Sequence, residues 1–314
     1  MNYLKDYREG EKFVGTYLCK QKQILKTKAG KTYYSLTLQD KTGTADGKIW
    51  ELNNGIANFE PMDYIHCEGM VTSFQGNLQM NISRVRISDE GEYDPADYVP
   101  CTNKDVGEMF SRILKYVASV QNKYLRKILE MYFVENKEFV DAFKKHSAAK
   151  SVHHGFMGGL LEHTLSVTDM CQYFAEHYPM IHRDLLITAA LFHDMGKIQE
   201  ISDFPMNDYT DDGQLLGHIY IGARCMENAA AQIPNFPPKL KNELVHCILA
   251  HHGKMEFGSP KVPAIMEAME LHMADNADAK LQTLTEVFTQ AGDNMGWLGF
   301  NRMFESNLRK TSEE

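Results

Sequence analysis

Seven side chains of metal-binding type recur in order through the second half of the sequence: His163, the pair His193-Asp194, His218, the pair His251-His252, and Asp275. Each falls on or at the edge of an apolar helical segment, where an unpaired charge or imidazole is costly unless something binds it. His163 lies beside the stripe of Leu160, Val167 and Met170, and should point inward. His193 follows Ala189 by one turn on a segment with few other polar residues, and Asp275 is flanked by Ala268, Leu271 and Ala279. Taken singly, an inward histidine is usually a hydrogen-bonded core residue, and a helical aspartate a cap or a surface charge. Recurrence on successive helices weakens that account, because every group would then need its own buried partner. A shared cation satisfies all of them and points to hydrolytic chemistry.

The elements that would hold these residues are helical. From about Asp105 onward apolar residues recur three and four apart, as in MFSRILKYVASV, GGLLEHTLSVTDMCQYFAEH, LLITAALFHDMGKI, KLKNELVHCILAHH and AIMEAMELHMADNADAKLQ. Before about Asp89 the pattern is strand-like. FVGTYLCK, KTYYSLTLQD, ADGKIWEL, DYIHCEGMVTSF and NLQMNISRVRIS alternate apolar and polar residues and are parted by turn-forming pieces. The expected fold is multi-domain, an N-terminal five-stranded barrel of the OB type over 1–90, a connector with two prolines over 91–104, and an all-α domain over 105–314. The segment GWLGFNRMFESNLRK is read as a helical tail, apolar enough to pack on a sister subunit or to fold back on its own domain.

At 314 residues and 43% hydrophobic content the chain can bury a small and a medium core. Its net charge of -9 argues weakly against indiscriminate polyanion binding. No apolar run approaches the roughly 20 residues needed to span a bilayer, and MNYLKDYREGEKF lacks a signal-peptide core, so a cytoplasmic protein without membrane contact is expected. The six cysteines show no C-x-x-C spacing, which argues against a zinc ribbon or disulfide framework.

The order His163, His193-Asp194, Asp275 resembles the H…HD…D ligand set of the HD-domain superfamily of metal-dependent phosphohydrolases. The strings LLEHT, LFHDMGK, GHI, AHHG and MADNADAK are similar to that superfamily's motif blocks. With the β module in front, the whole looks closest to the YhaM-type 3'-to-5' exoribonucleases, which join an OB-fold to an HD domain.

The resemblance implies that His163, His193, Asp194 and Asp275 hold one ion, with Asp194 bridging to a second. His218, His251 and His252 match the additional histidines of binuclear members, although His252 could equally be a surface residue. Lys197 matches the lysine of the HDxxK block, and Asp194 and Lys197 are the expected catalytic pair. Two divalent ions per chain are expected, with manganese first and iron, cobalt, zinc or magnesium as alternatives. Two ions about 4 Å apart can lower the pKa of a shared water and aim the hydroxide at phosphorus.

His153 and His154, in the loop before Gly158-Gly159, are candidates for contacting the scissile phosphate or the terminal nucleotide. A plain loop-surface role is the alternative. Asp203, Asp208, Asp211 and Asp212 are read as solvated acids in a turn-rich insertion.

In the β module, Lys20, Lys22, Lys26, Lys28 and Lys31 run without an intervening acid and are flanked by Tyr17, Tyr33 and Tyr34, with Arg84 on the last strand. That combination suits single-stranded nucleic acid. A solvated hairpin with tyrosines half in the core is its alternative. Trp50 and Phe74 are expected in the core. The implied activity is removal of 5'-mononucleotides from the 3' end of single-stranded RNA, and of single-stranded DNA as a further substrate. Two rivals stand beside it, a phosphohydrolase of a small nucleotide and a nucleic-acid-binding protein whose HD domain is a scaffold.

Overall fold

A computed structural model describes residues 3–74, 77–150 and 154–312. Met1–Cys101 together with Phe204–Met206 form one compact unit, and Thr102–Asp203 with Asn207–Glu314 form the second.

The first unit is a closed barrel of β1 (Lys12–Lys26), β2 (Thr32–Asp40), β3 (Gly43–Ile49), β4 (Tyr64–Phe74) and β5 (Asn77–Ile87) in the order β1-β2-β3-β5-β4. Every pairing is antiparallel except β3 with β5, the arrangement of an OB-fold. Strand β1 is long enough to pair with β4 through its first half and with β2 through its second, and it turns between them at a bulge at Cys19–Gln21. The alternating residues Phe13, Tyr17, Leu36, Leu38, Ile65, Cys67, Met80 and Ile82 point inward and fill the barrel. The proline-bearing stretch after β5 is folded onto this barrel. Tyr93 stacks on Tyr64, Tyr98 meets both edge-on, and Asp97 accepts a hydrogen bond from the Lys41 ammonium at 2.7 Å.

The second unit contains α1 (Val106–Ser119), α2 (Lys123–Phe133), α3 (Lys137–Lys145), α4 (Gly159–His177), α5 (Arg183–Phe192), α6 (Lys197–Glu200), α7 (Asp211–Ala231), α8 (Pro238–Ala250) and α9 (Met266–Gln290). Asp105, Asn122 and Asn136 cap the first three by accepting from backbone N–H groups. The hydrophobic run Leu185–Phe192 explains why α5 is buried on every side, at the centre of the bundle. Phe133, Phe139, Phe143 and Phe192 pack edge-to-face and tilted beside it.

Two expectations need correction. Asp211 and Asp212 are exposed, but they form the first turn of α7 behind the Thr210 cap instead of a turn-rich insertion. Acids there meet the positive end of the helix dipole, which favours a helical start that two nearby glycines obscure in the sequence. The tail is not helical either: α9 ends at Gln290, and Phe300–Asn301 pairs with Ser306–Asn307 as a small hairpin. Glycines at 292, 296 and 299 keep any helical run there too short to stand. Trp297, Phe300 and Met303 are exposed on it. Among the described residues, no helix is long and apolar enough to cross a membrane.

Candidate metal centre

The site is assembled where helices end or break. His163 projects from the first half of α4, His193 and Asp194 from the turn closing α5, His251 and His252 from the end of α8, and Asp275 from the middle of α9. His218 lies inside α7 directly after Gly217, whose backbone (φ 71°, ψ 152°) leaves the helix. Only glycine adopts that conformation cheaply, and the break turns the His218 N–H and ring toward Glu200. Gly196 is fixed by a second constraint, because a Cβ there would stand 2.1 Å from the His218 carbonyl oxygen.

The ligand-type atoms fall into two groups that share one carboxylate. In the first, His163 Nε2 lies 3.1 Å from His193 Nε2 and 3.3 Å from both Asp194 Oδ2 and Asp275 Oδ1. In the second, Asp194 Oδ1 faces His218 Nε2 at 3.5 Å and His251 Nε2 at 3.6 Å. His252 joins this group: its ring centre is 4.4 Å from that of His251, and a nitrogen of each of the three histidines fits within a 4.8 Å sphere of mutual separation. The resemblance-based pairing thus finds its residues side by side, His252 included.

The donor set fits a cation. Asp194 Oδ1, His218 Nε2 and His251 Nε2 are buried without hydrogen-bond partners, which is expensive for polar atoms. Ligands each about 2.1 Å from one ion lie about 3 to 3.5 Å apart, close to the 3.1–3.6 Å from His163 Nε2 to its neighbours and from Asp194 Oδ1 to His218 and His251. The imidazole tautomers agree. Each Nδ1 meets a group that only accepts: Ala190 O for His193 at 2.7 Å, Ile248 O for His251 at 2.7 Å, Phe257 O for His252 at 2.8 Å, Glu200 for His218 at 2.9 Å and Asp278 for His163 at 2.7 Å. Every Nδ1 therefore carries a proton, which leaves Nε2 of each ring as the atom that faces a cation.

Charge supports the same reading. Burial pushes the Asp194 and Asp275 carboxyls up, yet Lys197 with His193 and His163 outweighs it at Asp194, and the His163, His193 and His251 imidazoles outweigh it at Asp275, so both lie below the usual carboxylate range. Burial pushes His251 and His252 down, which keeps these rings neutral. For His163, burial also pulls down, but Asp194, Asp275 and Asp278 together raise it well above the ordinary imidazole value. The carboxylates demand positive charge at that spot. Lys197 is the neighbouring cation, its ammonium 2.7 Å from Asp194 Oδ2.

A family model described as HD domain matches residues 160–280. The 3'-5' exoribonuclease YhaM of Bacillus subtilis strain 168 is 32% identical over 262 residues, covering 81% of each chain. Proteins of the same name from Geobacillus sp. strain WCH70 and Shouchella clausii strain KSM-K16 are also 32% identical, covering 81% and 90% of this chain and 78% and 88% of theirs. The chain belongs to the YhaM family of 3'-5' exoribonucleases. Among solved structures, the second OB-fold domain of replication protein A from Methanococcus maripaludis aligns at 20% identity and a TM-score of 0.24, over 29% of this chain and 98% of that one.

Placed in this YhaM-family chain, the remaining expected residues divide. Lys20, Lys26, Lys28, Lys31 and Arg84 are exposed on the barrel, Lys31 within 3.2 Å of Glu51 and Arg84 within 3.7 Å of Glu68. Tyr17 is not available to a ligand: it is fully buried, its hydroxyl donating to Tyr7 at 3.1 Å. The side chain of Lys22 is likewise withdrawn, donating to the Phe59 carbonyl between the Tyr34 and Phe59 rings. Tyr34 packs edge-on against Phe59 at the rim of the core. Tyr33 stacks on Trp50 at 4.6 Å, and Trp50, expected in the core, is 40% exposed because it falls just past the end of β3. Phe74, also expected inside, is exposed at the end of β4. His154 is buried, with Nε2 2.9 Å from Asp278, which excludes the loop-surface alternative. His153 lies outside the described residues. Asp278 and Glu200 were missed; the available signal was their three-residue spacing from Asp275 and Lys197, which keeps each on the site's face.

Proposed function

We propose that the protein is a metal-dependent 3'-to-5' exonuclease that hydrolyses single-stranded RNA, and single-stranded DNA as a further substrate, to 5'-mononucleotides. The observation that carries the reading is Asp194, whose two carboxylate oxygens face two separate sets of imidazoles at 3.3–3.6 Å. His163, His193, Asp194 and Asp275 would hold one ion, and Asp194, His218, His251 and His252 the second; the mixed nitrogen and oxygen donors suit a first-row divalent ion, and manganese is put first by the resemblance. When bound, such ions supply an activated water and stabilise charge on the leaving oxygen. Lys197 contributes a buried positive charge that can neutralise a non-bridging phosphate oxygen. The direction of cleavage follows the activity for which the relatives are named.

In this reading the 1–90 region is the nucleic-acid-binding domain and 105–314 the hydrolase. Lys20, Lys26, Lys28, Lys31 and Arg84 would follow the backbone, while the Tyr33–Trp50 stack, with the indole N–H donating to Asn81 at 3.0 Å, would take a base on its open side. Such contacts favour no particular sequence.

The test is incubation with manganese and an RNA labelled at its 5' end, beside Asp194→Ala and a nucleoside triphosphate. Progressive shortening by the wild type alone is expected. Phosphate or triphosphate release from the small substrate with intact RNA would replace this reading by a small-nucleotide hydrolase, and retardation without cleavage by a binding protein.

A further inference from the structure

The five site imidazoles are held in two different ways. His193, His251 and His252 lean on main-chain carbonyls, which no substitution of a neighbouring side chain removes. His163 and His218 lean on side-chain carboxylates, and there is one such histidine in each group of ligand-type atoms.

Asp278, 7% exposed, accepts at Oδ2 from His163 Nδ1 at 2.7 Å and from His154 Nε2 at 2.9 Å, and at Oδ1 from Ser166 Oγ. Its donors leave it little freedom to turn. Glu200, 8% exposed, accepts through Oε1 from both the backbone N–H and Nδ1 of His218, each at 2.9 Å. One carboxylate oxygen thus grips the residue after the Gly217 break by its main chain and its ring together.

We propose that Asp278 and Glu200 are positioning residues dedicated one to each ion site: Asp278, braced by His154 and Ser166, orients His163, and Glu200 orients His218. A carboxylate behind an imidazole fixes its tautomer, aims its lone pair and increases its basicity, and loss of such a partner typically costs about 10- to 100-fold in metal affinity. The two sites therefore lose their ions separately. The inference rests on the two-ion reading at Asp194.

The test is equilibrium dialysis of the full chain against Mn²⁺ at a concentration that just saturates the wild type, with bound metal measured by elemental analysis. Two ions are expected on the wild type, one on Asp278→Ala, one on Glu200→Ala and none on the double variant. Asp278→Asn and Glu200→Gln, whose amide oxygens still accept from Nδ1, should keep the second ion at a Kd within about tenfold of the wild type, and they supply the readout where an alanine variant does not fold. Either alanine variant losing both ions while folded, or neither losing any, overturns the inference. The same outcome for the amide pair as for the alanine pair also counts against it. A wild-type chain that holds no manganese instead defeats the two-ion reading itself.

Discussion

Five cations on the barrel stand in water: Lys20, Lys26, Lys28 and Lys31 are exposed, and the exposed Arg84 reaches Glu68 only at 3.7 Å. In the helical unit the relation is reversed, since Asp194, 2% exposed, sits among His163, His193, His218, His251 and Lys197. Two unit charges 4 Å apart interact by about 1 kcal/mol in water and about 4 kcal/mol at an effective dielectric of about 20. The same residue types are therefore worth little individually on the barrel and a great deal in the bundle. Perturbing the first should change how tightly a strand is held, in a salt-dependent way; perturbing the second should change whether anything is cut.

That contrast breaks most visibly at Asp275. Asp275→Ala should lower RNA hydrolysis by at least about a thousandfold while RNA retention on a filter changes by less than about threefold; an active variant would remove Asp275 from the ligand set. Lys197→Ala comes next, with a fall in kcat of about 100- to 1000-fold and a nearly constant KM, read from initial rates on a short RNA. A change confined to KM would show that Lys197 serves binding alone. Trp50→Ala should weaken a manganese-free RNA complex by 1–3 kcal/mol, about 5- to 150-fold, measured by titration, and leave hydrolysis of a dinucleotide unaltered. Equal affinity would move the stacking platform elsewhere. The smallest effect belongs to Tyr17→Phe, which removes one buried hydroxyl contact: a loss of about 1 kcal/mol in thermal unfolding with unchanged RNA affinity. Reduced affinity there would reopen its role as a ligand contact.

The two regions also differ in how far the sequence alone could be read. The five strands followed from alternation, although β1 runs on to Lys26 and β3 stops at Ile49, but alternation names two faces without saying which one closes inward. Tyr17 and Lys22, nominated for the surface, are withdrawn by barrel closure, and Trp50 escapes the core by lying one residue beyond β3. On the helices, an imidazole amid leucines and alanines already implies a buried polar group, so His163, His193 and His251 were legible. Asp278 was not, because a second aspartate in MADNADAK reads as an ordinary solvated acid until His163 and His154 are seen bonded to it. Helix α7 escaped notice because Gly213 and Gly217 lower its propensity; the break at Gly217 is the feature that delivers His218.

His193 and His251 close the last turns of α5 and α8 by donating to Ala190 and Ile248, carbonyls three residues back that the helix itself leaves unsatisfied. These rings are thus fasteners of the bundle as well as groups of the reactive pocket. Fraying of either helix end and dispersal of the pocket become a single event.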